Sequence, residues 1–101
     1  MINTFTKNDS YDELIRNNDF IIFKFSSPNC IRCTTLHNNL NNLDKNILIY
    51  DVSVIDNKNL IRKLNIYAAP CIMIYYKEEL VYRNLGLFDF KEVENIIDKY
   101  N

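Results

Sequence analysis

Apolar residues along the chain follow two spacings, which together predict an alternation of strands and helices. Near-continuous apolar runs are typical of strands buried on both faces of a sheet, and apolar residues three or four positions apart are typical of amphipathic helices. The predicted strands are residues 2–6, 19–26, 46–54, 71–76 and 80–85. The predicted helices are residues 9–18, 30–43, 57–66 and 89–100. The inward stripe of the second helix is expected to begin with Ile31 and Cys33.

A tight polar turn at residues 77–79 joins the last two strands, which should therefore form an antiparallel hairpin. The order along the chain is β-α-β-α-β-α-β-β-α. Strands that alternate with helices imply parallel crossover connections, while the hairpin adds antiparallel strands. The sequence thus predicts an α/β fold, in which a mixed sheet of four or five strands is flanked by helices on both faces.

Composition changes this picture little, but it excludes several classes of function. The 101 residues suffice for one domain, residues 1–101, and the hydrophobic share of 48% is that of an ordinary globular protein. A net charge of −1, with acidic and basic residues interleaved, leaves no basic face for nucleic acid. No apolar run approaches membrane-spanning length, and the first twenty residues are too polar for a signal peptide. We therefore expect a cytoplasmic monomer that binds neither nucleic acid nor membrane.

Two of the three cysteines, Cys30 and Cys33, lie where a predicted buried strand ends and a helix begins. The free backbone N–H groups and the positive end of the helix dipole at that place favour a thiolate over a thiol, and Arg32 adds a positive charge in the same turn. Cys33 follows one turn later, close enough for a disulfide with Cys30. The pattern predicts a redox-active dithiol. The alternative, two inert structural thiols, is disfavoured by this environment.

Pro70 opens an apolar strand, which is a poor place for a trans proline if the strand is central. A cis peptide bond between Ala69 and Pro70 would instead make a tight turn just before the strand. In the predicted topology this loop lies beside the end of the first buried strand. We therefore expect Ala69 and Pro70 to pack against Cys30 and Cys33.

Taken jointly, these features resemble the thioredoxin family over almost the whole chain. The resemblance rests on the CxxC after the second strand, on an I-x-x-x-P loop from Ile66 to Pro70, and on Gly86, sixteen positions beyond that proline. It implies a thioredoxin-like fold and a thiol–disulfide oxidoreductase that reduces protein disulfides. The cysteines would carry the electrons themselves, so the resemblance implies no metal and no organic cofactor.

The same resemblance implies a role for each residue that matches the family pattern. Cys30 would be the attacking cysteine, and Cys33 would resolve the mixed disulfide. Pro70 would be the cis-proline, Ala69 would offer its backbone to the substrate, and Gly86 would line the substrate groove. The implied partners are disulfide-bearing protein substrates and a thioredoxin reductase that recharges the dithiol.

Departures from the family pattern leave two other functions open. Asn29 stands where the family usually has tryptophan, and Ile31 and Arg32 stand where it has Gly-Pro. The dipeptide between the cysteines tunes the stability of the thiolate and hence the reduction potential, which stays open. Recharging by glutathione, as in a glutaredoxin-like enzyme, is the first alternative, although the N-terminal β-α unit speaks against it. A non-catalytic binding module with a thioredoxin-like fold is the second.

A further departure concerns the charges near the dithiol. The family typically buries an acid six residues before the first cysteine, near a lysine of the next strand. Here the matching residues are Lys24 and Asp51, so the charges are exchanged. The two could form a structural ion pair, Lys24 could extend outward from a sheet edge, or Lys24 could have a lowered pKa and assist thiol ionisation. The last interpretation makes Lys24 and Asp51, with Arg32, candidates for tuning the pKa of the thiols.

Three further side chains allow both a structural and a functional interpretation. Cys71 follows the proline and is expected to be a core residue, or else a third redox thiol. His37, the only histidine, is expected to be exposed on its helix. The alternative is a zinc site with the three cysteines, which would require His37 to converge with Cys30 from too far along the helix. Tyr67, in the loop before Pro70, could contact a substrate.

Overall fold

A computed structural model describes residues 1–87 and 89–101, and within them every predicted strand and helix is present. The strands are β1 (Ile2–Thr4), β2 (Phe20–Ser26), β3 (Leu48–Ser53), β4 (Cys71–Tyr76) and β5 (Glu79–Leu85). The helices are α1 (Tyr11–Arg16), α2 (Ile31–Asn41), α3 (Lys58–Lys63) and α4 (Phe90–Tyr100). In the part of the chain that the structure describes, none of the helices has the length and apolarity needed to cross a membrane.

The hairpin between β4 and β5 turns on two residues rather than the predicted three. Lys77 and Glu78 both have positive φ, as a two-residue hairpin turn of type I′ requires, and β5 already begins at Glu79. The other differences from the predicted bounds are mainly shorter ends, which are largest in α1 and α3.

The five strands of the described chain form one mixed sheet in the order β1-β3-β2-β4-β5, which confirms the predicted architecture. β3 pairs in parallel with β1 and β2, while β4 runs antiparallel to both β2 and β5. β2 is therefore the central strand. Its carboxyl end, at Ser26, leads directly into the loop that carries the predicted dithiol.

Alternate residues of the central strand face two separate apolar clusters, one on each side of the sheet. One cluster includes Ile22 of β2 and is covered by α2, through Leu36, and by α4, through Val93. The other includes Phe23 of β2 and Tyr11 of α1, and apolar residues of α3 pack against it. Helices thus cover both faces, as predicted, and burial of these apolar side chains holds them on the sheet. This packing fixes the amino end of α2 above the end of β2.

Candidate active site

The loop between β2 and α2 places the first cysteine at the amino end of a helix. Asn29 has a φ of 56°, a left-handed conformation that asparagine adopts more readily than most residues, and it turns the chain toward α2. Cys30 follows in an extended conformation and caps the helix, because its Sγ accepts a hydrogen bond from the backbone N–H of Cys33 over 3.2 Å. The same N–H group and the positive end of the helix dipole would stabilise a negative charge on this sulfur once the pair is reduced.

Cys30 and Cys33 form a disulfide bond, with their Cα atoms 5.2 Å apart. The two residues differ in exposure: Cys30 is partly exposed, whereas Cys33 is only 4% exposed. Cys33 lies on the inner side of α2, one turn before the buried Leu36. An external sulfur can therefore reach Cys30 more readily than Cys33.

The two residues between the cysteines both point to solvent. Ile31 is 85% exposed, so the expectation that it begins the inward stripe of α2 is wrong. At the first position of a helix a side chain points back toward the preceding loop, which here lies at the surface. The stripe begins instead with Cys33. Arg32 is exposed as well, and it lines a surface cavity together with Cys30.

The loop before β4 lies beside the disulfide. The Ala69–Pro70 peptide bond is cis, and Ala69 lines the cavity of about 560 Å³ that also contains Cys30 and Arg32. The carbonyl oxygen of Pro70 accepts a 2.8 Å hydrogen bond from the N–H of Gly86. Gly86 has a φ of 78°, which favours glycine, and with Pro70 and Arg32 it lines a second cavity of about 200 Å³. The structure thus brings Ala69, Pro70 and Gly86 to one side of the cysteine pair.

Exposed apolar side chains surround this side of the site. Ile31 lies between the cysteines, Tyr67 lines a cavity with Ala69, and Leu87 lines the cavity of Pro70. All three side chains are mostly exposed. Exposed apolar surface around a reactive bond is typical of a protein-binding site.

On the other side of the disulfide, an ion pair between a buried lysine and a partly exposed aspartate joins β2 and β3. Lys24, 3% exposed, lies directly opposite Asp51 in the parallel register, and its Nζ is 3.3 Å from Asp51 Oδ2. Ser26 Oγ donates a 2.7 Å hydrogen bond to Oδ1 of the same carboxylate. The interpretation of Lys24 as extending from a sheet edge is wrong, because β2 is the central strand. Burial lowers the pKa of Lys24, and the Asp51 carboxylate opposes that shift.

His37 reaches this ion pair from α2, and its side chain is 40% exposed, so the exposure expected from the sequence is only partial. Its Nδ1 lies 3.1 Å from Lys24 Nζ and 3.9 Å from Asp51 Oδ2. The signal available in the sequence was its position one turn beyond Cys33, which places both side chains on the same side of α2. That spacing does not reveal the partner, because Lys24 is far away along the chain.

The third cysteine lies apart from this arrangement. Cys71 is a fully buried free thiol, located in the apolar cluster on the face of the sheet opposite to α2. Burial raises the pKa of its thiol to about 11, which disfavours a redox role. Within residues 1–87 and 89–101, no group of three or more His, Cys, Asp or Glu side chains is arranged to hold a metal ion. Because Cys71 lies on the face of the sheet opposite to α2, it does not converge with His37, Cys30 and Cys33 on the zinc site considered as an alternative.

The disulfide and the ion pair open into one cavity of about 270 Å³, which we call the polar cavity. It is lined by Lys24, Ser26, Ser27, Cys30, Cys33, Thr34, His37 and Asp51. The reactive sulfurs therefore share a surface with a cation, a carboxylate and an imidazole. Such groups can bind, hold and exchange protons next to the cysteines.

Comparison with known proteins adds the family. The family model described as Thioredoxin matches residues 2–99. Among curated proteins, none matches the chain significantly in sequence.

Several solved structures have the same fold. A mutant thioredoxin from Halobacterium salinarum superposes with a TM-score of 0.85 at 19% identity, over 98% of this chain and 89% of that one. The oxidised thioredoxin of Plasmodium falciparum gives 0.82 at 21% identity, over 99% and 98% of the two chains. Mitochondrial thioredoxin 3 of Saccharomyces cerevisiae gives 0.81 at 18% identity, over 96% and 94%. The predicted thioredoxin-like fold is confirmed.

Proposed function

The chain belongs to the thioredoxin family, and we propose that it reduces the disulfide bonds of protein substrates. Its general chemistry follows from the family and the CxxC pair: the chain is a thiol–disulfide oxidoreductase. The observation that carries the proposal is the unequal exposure of the two bonded cysteines at the start of α2, since one is partly exposed and the other is buried. We also propose that residues 1–101 act as one monomeric domain in the cytoplasm.

In the proposed reaction, the reduced dithiol gives two electrons to the substrate. The Cys30 thiolate attacks one sulfur of the substrate disulfide, a mixed disulfide forms, and the second substrate sulfur leaves. Cys33 then loses its proton and attacks Sγ of Cys30, which releases the first substrate sulfur. The two protons lost by the cysteines end, through solvent, on the two product thiols. Electrons and protons thus balance without a metal or an organic cofactor.

We propose that the side of the cysteine pair formed by the loop before β4 positions the substrate. We propose that an extended substrate segment lies against Ala69, Pro70 and Gly86, because these residues line cavities that reach Arg32 and Cys30. The exposed apolar side chains around that side would contact a folded or unfolded polypeptide. Tyr67 is among them, so we propose that it contacts the substrate.

Three charged residues are proposed to tune the thiols. Arg32 is exposed at the amino end of α2, so its effect on Cys30 should be small and screened by salt. Lys24 and Asp51 are held against each other beside the buried Cys33, where water screens charge less. We therefore expect them to act mainly on the resolving step.

Members of the family act on disulfide substrates and are recharged by a reductase. We propose a thioredoxin reductase as the electron donor of this chain. Glutathione is the alternative, because Asn29 and the Ile31–Arg32 dipeptide replace residues that the family presents around its dithiol. A reduction potential of the dithiol below about −220 mV would fit a cytosolic reductant, and one near about −120 mV an oxidant.

Reduction of insulin disulfides tests the proposal and its donor together. The chain is assayed with NADPH and a thioredoxin reductase, and separately with glutathione and glutathione reductase. Turnover with the first system supports the proposal, and turnover with glutathione alone supports the glutaredoxin-like alternative. No turnover with either donor, and none after reduction of the pair with dithiothreitol, would leave only a binding module.

Trapping of mixed disulfides tests the roles of the two cysteines. Reduced Cys33→Ser should accumulate a covalent adduct with partly unfolded proteins that still contain disulfide bonds, because the resolving thiol is missing. Cys30→Ser should accumulate little, since the buried Cys33 is poorly accessible. The reverse pattern would assign the attack to Cys33. Cys71→Ala is the matched control, because it removes a thiol on the opposite face of the sheet.

A further inference from the structure

Lys24 is held between two partners in the polar cavity. One is the Asp51 carboxylate, at 3.3 Å, and the other is Nδ1 of His37, at 3.1 Å. A charged lysine has only donors, so opposite a charged Lys24 the ring nitrogen Nδ1 is the acceptor and the ring proton lies on Nε2. The hydrogen bond thus joins a proton donor to a group that can still take up a proton.

The side chains that line the polar cavity differ in their exposure to solvent. Lys24 is 3% exposed, whereas the side chain of His37 is 40% exposed. Cys33, which also lines the polar cavity, is 4% exposed. A proton that leaves the buried Cys33 therefore enters the polar cavity, and His37 is the partly exposed member of the Lys24–His37 pair that lines it.

The resolving step requires such a transfer. Cys33 must lose its proton before its sulfur can attack Sγ of Cys30. The charged groups that face the polar cavity are Lys24 from β2 and Asp51 from β3. Asp51 is already paired with Lys24 and accepts a hydrogen bond from Ser26. A charged lysine cannot take a proton unless it gives one up at the same time.

We propose that His37 is the proton-exchange residue of this site: as the proton leaves Cys33 for Lys24, Lys24 passes one of its own protons to Nδ1 of His37, and the imidazolium then loses a proton to solvent. Lys24 keeps its charge throughout, and the net result is the transfer of one proton from Cys33 to water. This inference rests on the proposed function, because it concerns the second step of that reaction. The polar cavity, at about 270 Å³, has room for a bridging water, which needs roughly 10–15 Å³.

Stopped-flow reaction of the reduced protein with an aromatic disulfide such as DTNB separates the two steps. Attack by Cys30 releases the first coloured thiolate, and attack by Cys33 releases the second. His37→Asn keeps an oxygen acceptor near the place of Nδ1 but cannot gain a proton. We expect the second phase to slow by about 10- to 100-fold between pH 5 and 8, where imidazoles change charge, and the first phase to stay unchanged.

Two further variants separate proton exchange from a structural role. His37→Ala should show the same slow second phase, and free imidazole in the buffer should restore it, because the polar cavity is open to the surface. Asn38→Ala, an exposed neighbour on α2 that does not line the polar cavity, should behave like the wild type.

Two outcomes would overturn the assignment of His37. One is a wild-type second phase in His37→Asn, with its pH profile unchanged. The other is a slow second phase in His37→Ala that imidazole does not restore. Absence of both phases in the wild-type protein would instead contradict the proposed function.

Discussion

The carboxyl end of β2 has two faces of opposite character. Phe25 faces an apolar cluster with Cys71, and both are fully buried. The adjacent residue, Lys24, faces the polar cavity with Asp51 and His37. Because successive residues of a strand point to opposite faces, the molecule changes from apolar core to charged site within one residue.

The difference shows what decides the chemistry of a thiol in this fold. On the apolar face, burial raises the pKa of Cys71 to about 11 and holds it as a neutral thiol. On the α2 side, the sulfur of Cys30 accepts a hydrogen bond from a helix N–H group and is partly exposed to solvent. The position of a cysteine relative to the sheet, rather than its distance along the chain from the CxxC, therefore separates core thiols from reactive thiols.

The largest expected effect is on activity, and it should differ between Cys30 on the α2 side and Cys71 on the apolar face. Cys30→Ser should abolish insulin reduction, because a serine hydroxyl does not form a nucleophilic anion near neutral pH. Cys71→Ala should keep the activity and lower the free energy of unfolding by about 1 kcal/mol, since only packing is lost. Activity assays and urea unfolding of both variants check this. A loss of activity in a folded Cys71→Ala protein would place a reactive thiol on the apolar face.

The second expected effect is on the free energy of unfolding, and it comes from the Lys24 charge that is buried on the α2 face of the sheet. Asp51→Asn should lower the free energy of unfolding by about 2–3 kcal/mol, because it leaves Lys24 buried without its counter-charge. The loss stays below that of a fully buried pair, since Lys24, whose pKa is lowered by burial, can give up its proton.

Lys24→Met is the matched comparison for that pair. It places an apolar chain in the same space and removes the partner of two partly exposed groups, His37 and Asp51, of which Asp51 is still bonded to Ser26. We expect a loss below about 1 kcal/mol. Urea unfolding of the oxidised proteins measures both values. Equal losses in the two variants would mean that burial of the Lys24 charge does not control the stability of this face.

A pH effect of about 2 kcal/mol should come from the apolar face. The pKa of Cys71 is raised from 9.0 to about 11 in the folded protein. A raised pKa means that the folded state holds the proton more tightly, so this stabilisation is complete below about pH 9 and is lost as the pH rises toward 11. The free energy of unfolding should therefore fall over this range by about 2 kcal/mol more in the wild type than in Cys71→Ala. Parallel curves for the two proteins would contradict the burial effect.

The sequence predicted the features that depend on spacing and order. The apolar pattern gave the strand and helix order, and the position of Cys30 after a buried strand gave its place at a helix N-terminus. Strand order and the place of a residue at the end of a strand follow from such spacing. Lys24 and Asp51 were matched through the resemblance to the family, and the structure places them directly opposite each other on adjacent parallel strands.

Features that depend on rotation of an element or on one backbone angle were not predicted. The contact of His37 with Lys24 depends on how α2 is rotated against the sheet and on a side-chain rotamer. The early end of α3 follows from Asn65, whose φ of 57° stops the helix. The outward direction of Ile31 follows from its place as the first helical residue, where the apolar pattern carries no information.

The smallest expected effect separates exposed charge from buried charge around the same disulfide. Arg32 is exposed, so its attraction for the Cys30 thiolate acts through water and should amount to about 0.3–0.5 kcal/mol. Arg32→Gln should therefore slow alkylation of reduced Cys30 by iodoacetamide about twofold near neutral pH and at low ionic strength. At about 1 M salt the screening length falls to about 3 Å, and the difference should vanish. Ile31→Gln, which changes the neighbouring exposed residue without a change in charge, should show no such dependence on salt. A twofold difference for Arg32→Gln that persists at high salt would mean that Arg32 acts through direct contact rather than through its field.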